Sequence, residues 1–304
     1  MTSSTLIILN PHAGGGRAGA IWREIEPTLW KHMGDLIVAV TQHPNEVARH
    51  IEQAYTVGVR RVIALGGDGT NHALVNALAV FNQQRPTDPM IYGNIPVGTG
   101  RDWARGQGLP FTEAAPIAQW IIGAKPVATD LGLITTDTTR EYFLNIASAG
   151  LGGEVARRVN DSKKYPWTFL LSTVLTTLTY HPQPVQVQID GQDWYEGNAY
   201  VVAVANGSTF GHGMKIAPNA NTSDGLFEVI LVKGVARVTV LSALRRVYNA
   251  THLTHPGVLS ARGKSITVKR PRTREVIEME LDGEYNQGRE VNFSIQPGAL
   301  QMLL

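Results

Sequence analysis

Val62-Ile63-Ala64-Leu65-Gly66-Gly67-Asp68-Gly69-Thr70, followed by Asn71-His72-Ala73-Leu74 and then Ala77-Leu78, decides the fold of the first half of this chain. Four apolar residues in a row, running into glycines, read as a buried strand. The apolar recurrence that follows at three and four residues reads as a helix. The turn between them holds three glycines in four positions. The same unit recurs on both sides. Leu6–Leu9 is a strand leading through glycines into a helix carrying Ile21, Trp22, Ile25 and Leu29. Leu36–Val40 precedes a helix with Val47, Ala48, Ile51 and Ala54, and Ile91–Ile95 is a fourth strand. Repeated strand–helix–strand units imply a parallel sheet covered on both faces, here over residues 1–125.

After about Pro126 the pattern changes. Glu141–Ser148, Val185–Ile189, Ala199–Ala205, Leu226–Val232, Ser265–Lys269 and Val276–Leu281 read as strands without a helix after each. Asp190-Gly191, Asp224-Gly225 and Asp282-Gly283 punctuate them as turns. The expectation is an α/β nucleotide-binding domain with a parallel sheet, then a β-rich antiparallel sandwich-like domain over 126–290.

Composition limits the function classes. The 304 residues are 43% hydrophobic and 17% charged, with a formal net charge of +2, which gives no reason to expect nucleic acid. With no cysteine there is neither a disulfide framework nor a zinc thiolate site, in keeping with a reducing, cytoplasmic setting. No stretch approaches the roughly 20 apolar residues that span a bilayer, so any membrane contact is expected to be peripheral, at the inner face.

Three glycine-rich loops each follow a predicted strand: Asn10–Gly19, Gly66–Thr70 and Pro96–Asp102. In a parallel sheet such loops emerge at the carboxyl edge, where ligands bind. Glycine lets backbone N–H groups approach a phosphate, and Thr70 and Thr99 add hydroxyl donors. Asp68 needs a cation between itself and a phosphate. Arg17, at a helix start, is a candidate partner for a phosphate oxygen. Gly14-Gly15-Gly16-Arg17-Ala18-Gly19 also satisfies G-x-G-x-x-G, but its acidic partner should end the second strand, and Asp35 precedes it. Gly263-Lys264-Ser265 lacks the glycine that opens a P-loop and runs into a strand pattern.

Gly66-Gly67-Asp68-Gly69-Thr70, taken with Asn10-Pro11-His12-Ala13-Gly14 and Pro96-Val97-Gly98-Thr99, closely resembles the diacylglycerol kinase catalytic family. Asn145–Gly153, Ala203–Lys215, Ser223-Asp224-Gly225-Leu226 and Leu281-Asp282-Gly283-Glu284 follow in the order of the bacterial lipid kinases, so the resemblance covers nearly the whole chain. It implies an ATP- and magnesium-dependent transfer of the γ-phosphate to a hydroxyl of diacylglycerol or a similar long-chain lipid at a membrane surface. Asn10, Thr41, Gly66, Gly67, Asp68, Gly69, Thr70, Asn71 and Thr99 would contact ATP. Glu284 would accept the proton with Asp282 supporting it. Magnesium would be held by Asp224 and main-chain oxygens of Asn221 and Leu226. The final strand, 291–304, would return to the first domain, and a homodimer is a further expectation. The sequence departs from the family at His72 and Ala73, where Asn-Glu is usual, and at Arg101, where Asn is usual. An NAD kinase-like enzyme shares the Gly-Gly-Asp-Gly loop, and a non-catalytic nucleotide- or lipid-sensing protein is the third reading.

Read without the resemblance, Asp282-Gly283-Glu284 allows two interpretations: an ordinary acidic turn, or two carboxylates approaching one site. Ser223-Asp224-Gly225 is likewise a turn or a hard-cation loop. Ser162–Tyr180, with Lys163 and Lys164 before Trp167, Phe169, Leu170, Leu171, Val174, Leu175 and Leu178, is either a helix packed on the second domain or a wall of a lipid pocket.

Overall fold

The computed structural model describes residues 4–98, 100–160, 176, 179–271 and 275–304. Thr99 and most of the 162–180 stretch lie outside the described residues. The chain divides into two compact units: residues up to Thr129 with Gly298–Leu304, and Asp130–Pro297.

The first unit is built on the parallel strands β1 (Thr5–Leu9), β2 (Leu36–Val40), β3 (Arg61–Gly66) and β4 (Ile91–Pro96), in the order β2-β1-β3-β4. The far end of β15 (Glu290–Leu303) pairs in parallel with β4, at Gln301–Ile91 and Met302–Tyr92, so the chain's last residues return to this sheet. Residues alternate in facing. Ile7, Leu9, Ile63, Leu65, Ile95 and Leu303 pack on one face against α1 (Arg17–Met33) and α5 (Ala114–Gly123). On the other, α2 (Val47–Thr56) and α3 (Asp68–Gln83) cover the sheet. Strands buried on both sides explain why β1 and β3 are unbroken apolar runs.

The second unit is antiparallel: β14 (Glu284–Gly288), β13 (Ile277–Leu281), β7 (Ile146–Gly150), β9 (Gln192–Ala205), β8 (Gln183–Ile189), β12 (Ser265–Lys269) and then β15, with β10 (Phe227–Lys233) bridging β9 and β11 (Val258–Gly263). Its core is centred on Phe143, which stacks on Phe227 at 5.8 Å and meets Phe293 edge-on at 6.3 Å. Gly132, in β5 (Pro126–Thr135), makes room for that ring: a Cβ there would lie 2.1 Å from it.

Several expectations change. Glu141–Ser148 is two strands, β6 (Arg140–Phe143) and β7, broken at Leu144-Asn145. The cause is distant in sequence: the Asp282 carboxylate takes the N–H groups of Leu144, Asn145 and Ile146. Strands β5, β11 and β14 were not expected, and neither were α6 (Leu151–Asn160) and α7 (Arg237–Tyr248) in the β-rich unit. The remaining helix, α4 (Asp102–Gln107), follows the third glycine loop.

Candidate active site

Parallel register brings the strand ends of the first unit level: Leu9 lies beside Val40 and Leu65, and Gly66 beside Pro96. The three glycine loops therefore leave one edge of one sheet. They also touch. Asn10 donates its Nδ2–H to Thr70 Oγ1 at 3.5 Å, tying the first loop to the second. A Cβ on Gly98 would lie 2.8 Å from Gly67 Cα, and one on Gly100 would lie 2.9 Å from Asp68 Oδ2, so the third loop rests against the second. A Cβ on Gly14 would lie 2.3 Å from the Val97 carbonyl oxygen, and Gly14 has φ 62, so only glycine fits.

Gly67 caps α3 in an extended conformation, which puts Asp68, Gly69 and Thr70 in the first helical turn. The N–H groups of such a turn have no carbonyl four residues earlier, and the helix dipole adds partial positive charge, so the loop suits phosphate. Thr41 is buried at the same edge, its N–H on Leu9 O at 2.9 Å.

Two candidates face elsewhere. The Asn71 Oδ1 accepts the hydroxyl of Tyr92 at 2.5 Å, which pins α3 to β4. Arg17 opens α1 but donates to the carbonyls of Phe111, at 3.3 Å, and Thr112. Asp35 sits before β2, at the end of the sheet away from the loops, which removes the dinucleotide reading. Gly263-Lys264-Ser265 is a strand-to-strand link, as expected.

In the second unit, Asp282-Gly283 is the two-residue turn of the β13–β14 hairpin, with φ 50 and 94. Both positive values mark a tight type I′ turn. Asp282 Oδ2 accepts Leu144 N–H at 2.7 Å, and Oδ1 accepts Asn145 and Ile146 N–H at 2.9 and 3.1 Å. Asp190, in the matching Asp-Gly turn between β8 and β9, does the same for Lys264 and Ser265 N–H, both at 2.9 Å. The Asp282 carboxylate therefore braces the backbone. Glu284 is the half-buried first residue of β14, two positions on.

Asp224 accepts Leu226 N–H at 3.1 Å through Oδ1 and pairs through Oδ2 with Arg262. Arg262 also holds Glu228 Oε1 at 2.8 Å. Burial pushes the Glu228 carboxyl up; Arg262 opposes this and Asp224 adds to it. Asn221 Oδ1 accepts Ser223 N–H at 3.1 Å. Among the described residues no group of three or more His, Asp or Glu forms a metal cluster. The Asp224 carboxylate is an oxygen donor of the kind a hard divalent cation takes, and Arg262 competes for it.

Asp130 escaped the sequence reading. It is 2% exposed, accepts Gly225 N–H at 2.7 Å, and donates its own N–H to Thr222 O at 2.7 Å. Buried Asn206 donates to Asp130 O at 2.8 Å and Leu144 O at 2.6 Å. Asp130 thus supports the Asp224 loop, and Asn206 joins that support to the corner that Asp282 holds. A lone Asp inside an apolar strand (Thr129-Asp130-Leu131) was the available signal.

Comparison with known proteins agrees with these two halves. Residues 4–134 match the diacylglycerol kinase catalytic domain, and residues 145–304 match the YegS C-terminal NAD kinase beta sandwich-like domain. The fold and loops are thus those of a kinase. The chain belongs to the diacylglycerol kinase-like family, in the group with the YegS-type C-terminal domain. It is 30% identical over 274 residues to "Probable lipid kinase YegS-like" of Pseudomonas aeruginosa (strain UCBPP-PA14), covering 89% of this chain and 85% of the relative. It is 27% identical to "Probable lipid kinase YegS" of Escherichia coli O1:K1 / APEC, over 99% and 96%. A crystal structure of a diacylglycerol kinase from Bacillus anthracis str. Sterne superposes with a TM-score of 0.73 over 99% of this chain and 96% of that one, at 22% identity, a likeness of fold. No helix among the described residues is long and apolar enough to cross a membrane.

Proposed function

We propose that this chain is a lipid kinase that transfers the γ-phosphate of ATP, with magnesium, to the hydroxyl of diacylglycerol or a similar long-chain lipid. The observation that carries the reading is the convergence of the three glycine loops around the first turn of α3, in a chain of this family. Backbone N–H groups of Gly66 to Thr70 hold the phosphates, and Asn10 and Thr70 brace one another beside them. Thr41 and Thr99 complete the proposed nucleotide contacts. Glu284 takes the proton of the acceptor hydroxyl as its oxygen bonds to the γ-phosphorus, the bridging P–O bond breaks and ADP leaves. Asp282 serves this step by fixing the turn that precedes Glu284. Asp224 and the main-chain carbonyls of Asn221 and Leu226 would hold magnesium, which would supply positive charge.

The same proposal covers a cytoplasmic enzyme that meets its lipid by peripheral contact with the inner membrane face, as a homodimer. Glu284→Gln tests the chemistry: transfer should fall at least a hundredfold while ATP affinity holds. Unchanged turnover removes Glu284 as the base.

A further inference from the structure

Arg101 ends the third glycine loop and caps α4 with φ 55 and ψ 25. This left-handed conformation suits Gly, Asn or Asp and is uncommon for an arginine. Such an outlier persists where surrounding structure over-determines it, and it clusters at functional sites. Here the surroundings are the phosphate loops themselves. Gly98 lies against Gly67, Gly100 lies against Asp68, and Arg101 Nε donates to Gly98 O at 2.7 Å. That bond lays the guanidinium back along the loop.

Three arginines and two carboxylates meet here: Arg105 lies 4.0 Å from Asp102 Oδ1, and Asp68 acts on Arg101. The Arg101 guanidinium sits 5.4 Å from the Phe111 ring centre and that of Arg105 sits 5.1 Å from it, while Arg17 binds the Phe111 carbonyl. Three arginines thus gather on one aromatic residue beside the glycine loops. Burial, then Arg17 and Arg105, lower the Arg101 pKa, and Asp68 opposes them. A polyanion would relieve this repulsion.

We infer that Arg101 is a phosphate-binding residue of the nucleotide site, which grips the triphosphate through its guanidinium fork at the expense of a strained turn. The inference rests on the nucleotide reading above. The competing account is that Arg101 only braces the loop through Gly98 O.

Arg101→Asn separates them, because Asn accepts the left-handed backbone. The measurements are thermal unfolding and equilibrium binding of ATP and AMP to the full chain. The inference expects an unchanged or higher Tm together with about tenfold weaker ATP binding, the scale of one charge-assisted hydrogen bond. AMP binding should change less than twofold. Arg101→Lys keeps the charge and loses the fork, so it should fall between wild type and Arg101→Asn for ATP. Wild-type ATP affinity in Arg101→Asn overturns the inference, as does an equal loss of ATP and AMP with a lower Tm. A wild-type chain that binds no ATP overturns the nucleotide reading itself, and this inference with it.

Discussion

Asp282→Asn isolates the hydrogen bonds of the Asp282 carboxylate from its backbone role, since Asn also tolerates φ 50. The amide keeps one carbonyl oxygen, which can hold the Asn145 and Ile146 N–H groups now at 2.9 and 3.1 Å. Its NH2 then faces Leu144 N–H, now 2.7 Å from Oδ2, donor against donor. One bond to a charged acceptor is lost and one part-buried donor is left unsatisfied, which costs about 2–3 kcal/mol. Asp282→Ala loses these three bonds together, and about 3–5 kcal/mol is expected once non-additivity is allowed for. Glu284→Gln removes no such brace among the described residues and should stay within about 0.5 kcal/mol. Urea unfolding monitored by circular dichroism reads all three as midpoint shifts at constant slope. A wild-type midpoint in Asp282→Asn, with transfer abolished, would refute the bracing role and return Asp282 to the chemistry.

Other outcomes follow from the same geometry. Gly14→Ala meets both a left-handed backbone and the Val97 oxygen, whereas Gly15→Ala, at φ 69, meets open space. Gly15→Ala should cost about 1–2 kcal/mol, and Gly14→Ala should cost more and also weaken ATP binding; equal effects in unfolding and binding assays would contradict the loop contact. His252 is 1% exposed with its Nε2 2.8 Å from Ile216 O, and burial lowers its pKa below 6.5, against the opposing pull of that bond. The unfolded chain then binds more protons below pH 6.5, so stability is full above that pH and falls as pH drops through the folded pKa, by up to about 1.4 kcal/mol per pH unit. His252→Gln should flatten that part of the profile, and an identical slope would exclude His252 as its source. Arg262→Ala frees Asp224, so magnesium should raise its Tm more than it raises the wild-type Tm; equal shifts would place magnesium elsewhere.

The sequence is most informative where structure is local. Leu6–Leu9 and Val62–Leu65 are apolar because both faces of their sheet are covered, and Asn10-Pro11 and Gly66-Gly67 mark where they end. The break between β6 and β7 has no local signal, because its cause, Asp282, lies 136 to 138 residues away. Strand β14 reads Glu284-Tyr285-Asn286-Gln287-Gly288, too polar for an apolar pattern, and exists by pairing with β13. The site follows the same rule. The glycine loops are legible because close backbone approach demands glycine. The partners of Arg17 and Asp224 are not, being side-chain choices across 94 or 95 and 38 residues. Read without the resemblance, the two carboxylates of Asp282-Gly283-Glu284 look equivalent, and the hydrogen bonds show that Asp282 is the one that braces the backbone.

The central claim is best tested by incubating the purified chain with γ-labelled ATP and magnesium against diacylglycerol, sphingoid bases, other acylglycerols and NAD. The account predicts label in a lipid product, dependent on magnesium and abolished by Glu284→Gln. Label in NAD alone, or ATP binding with no transfer to any lipid, would contradict it.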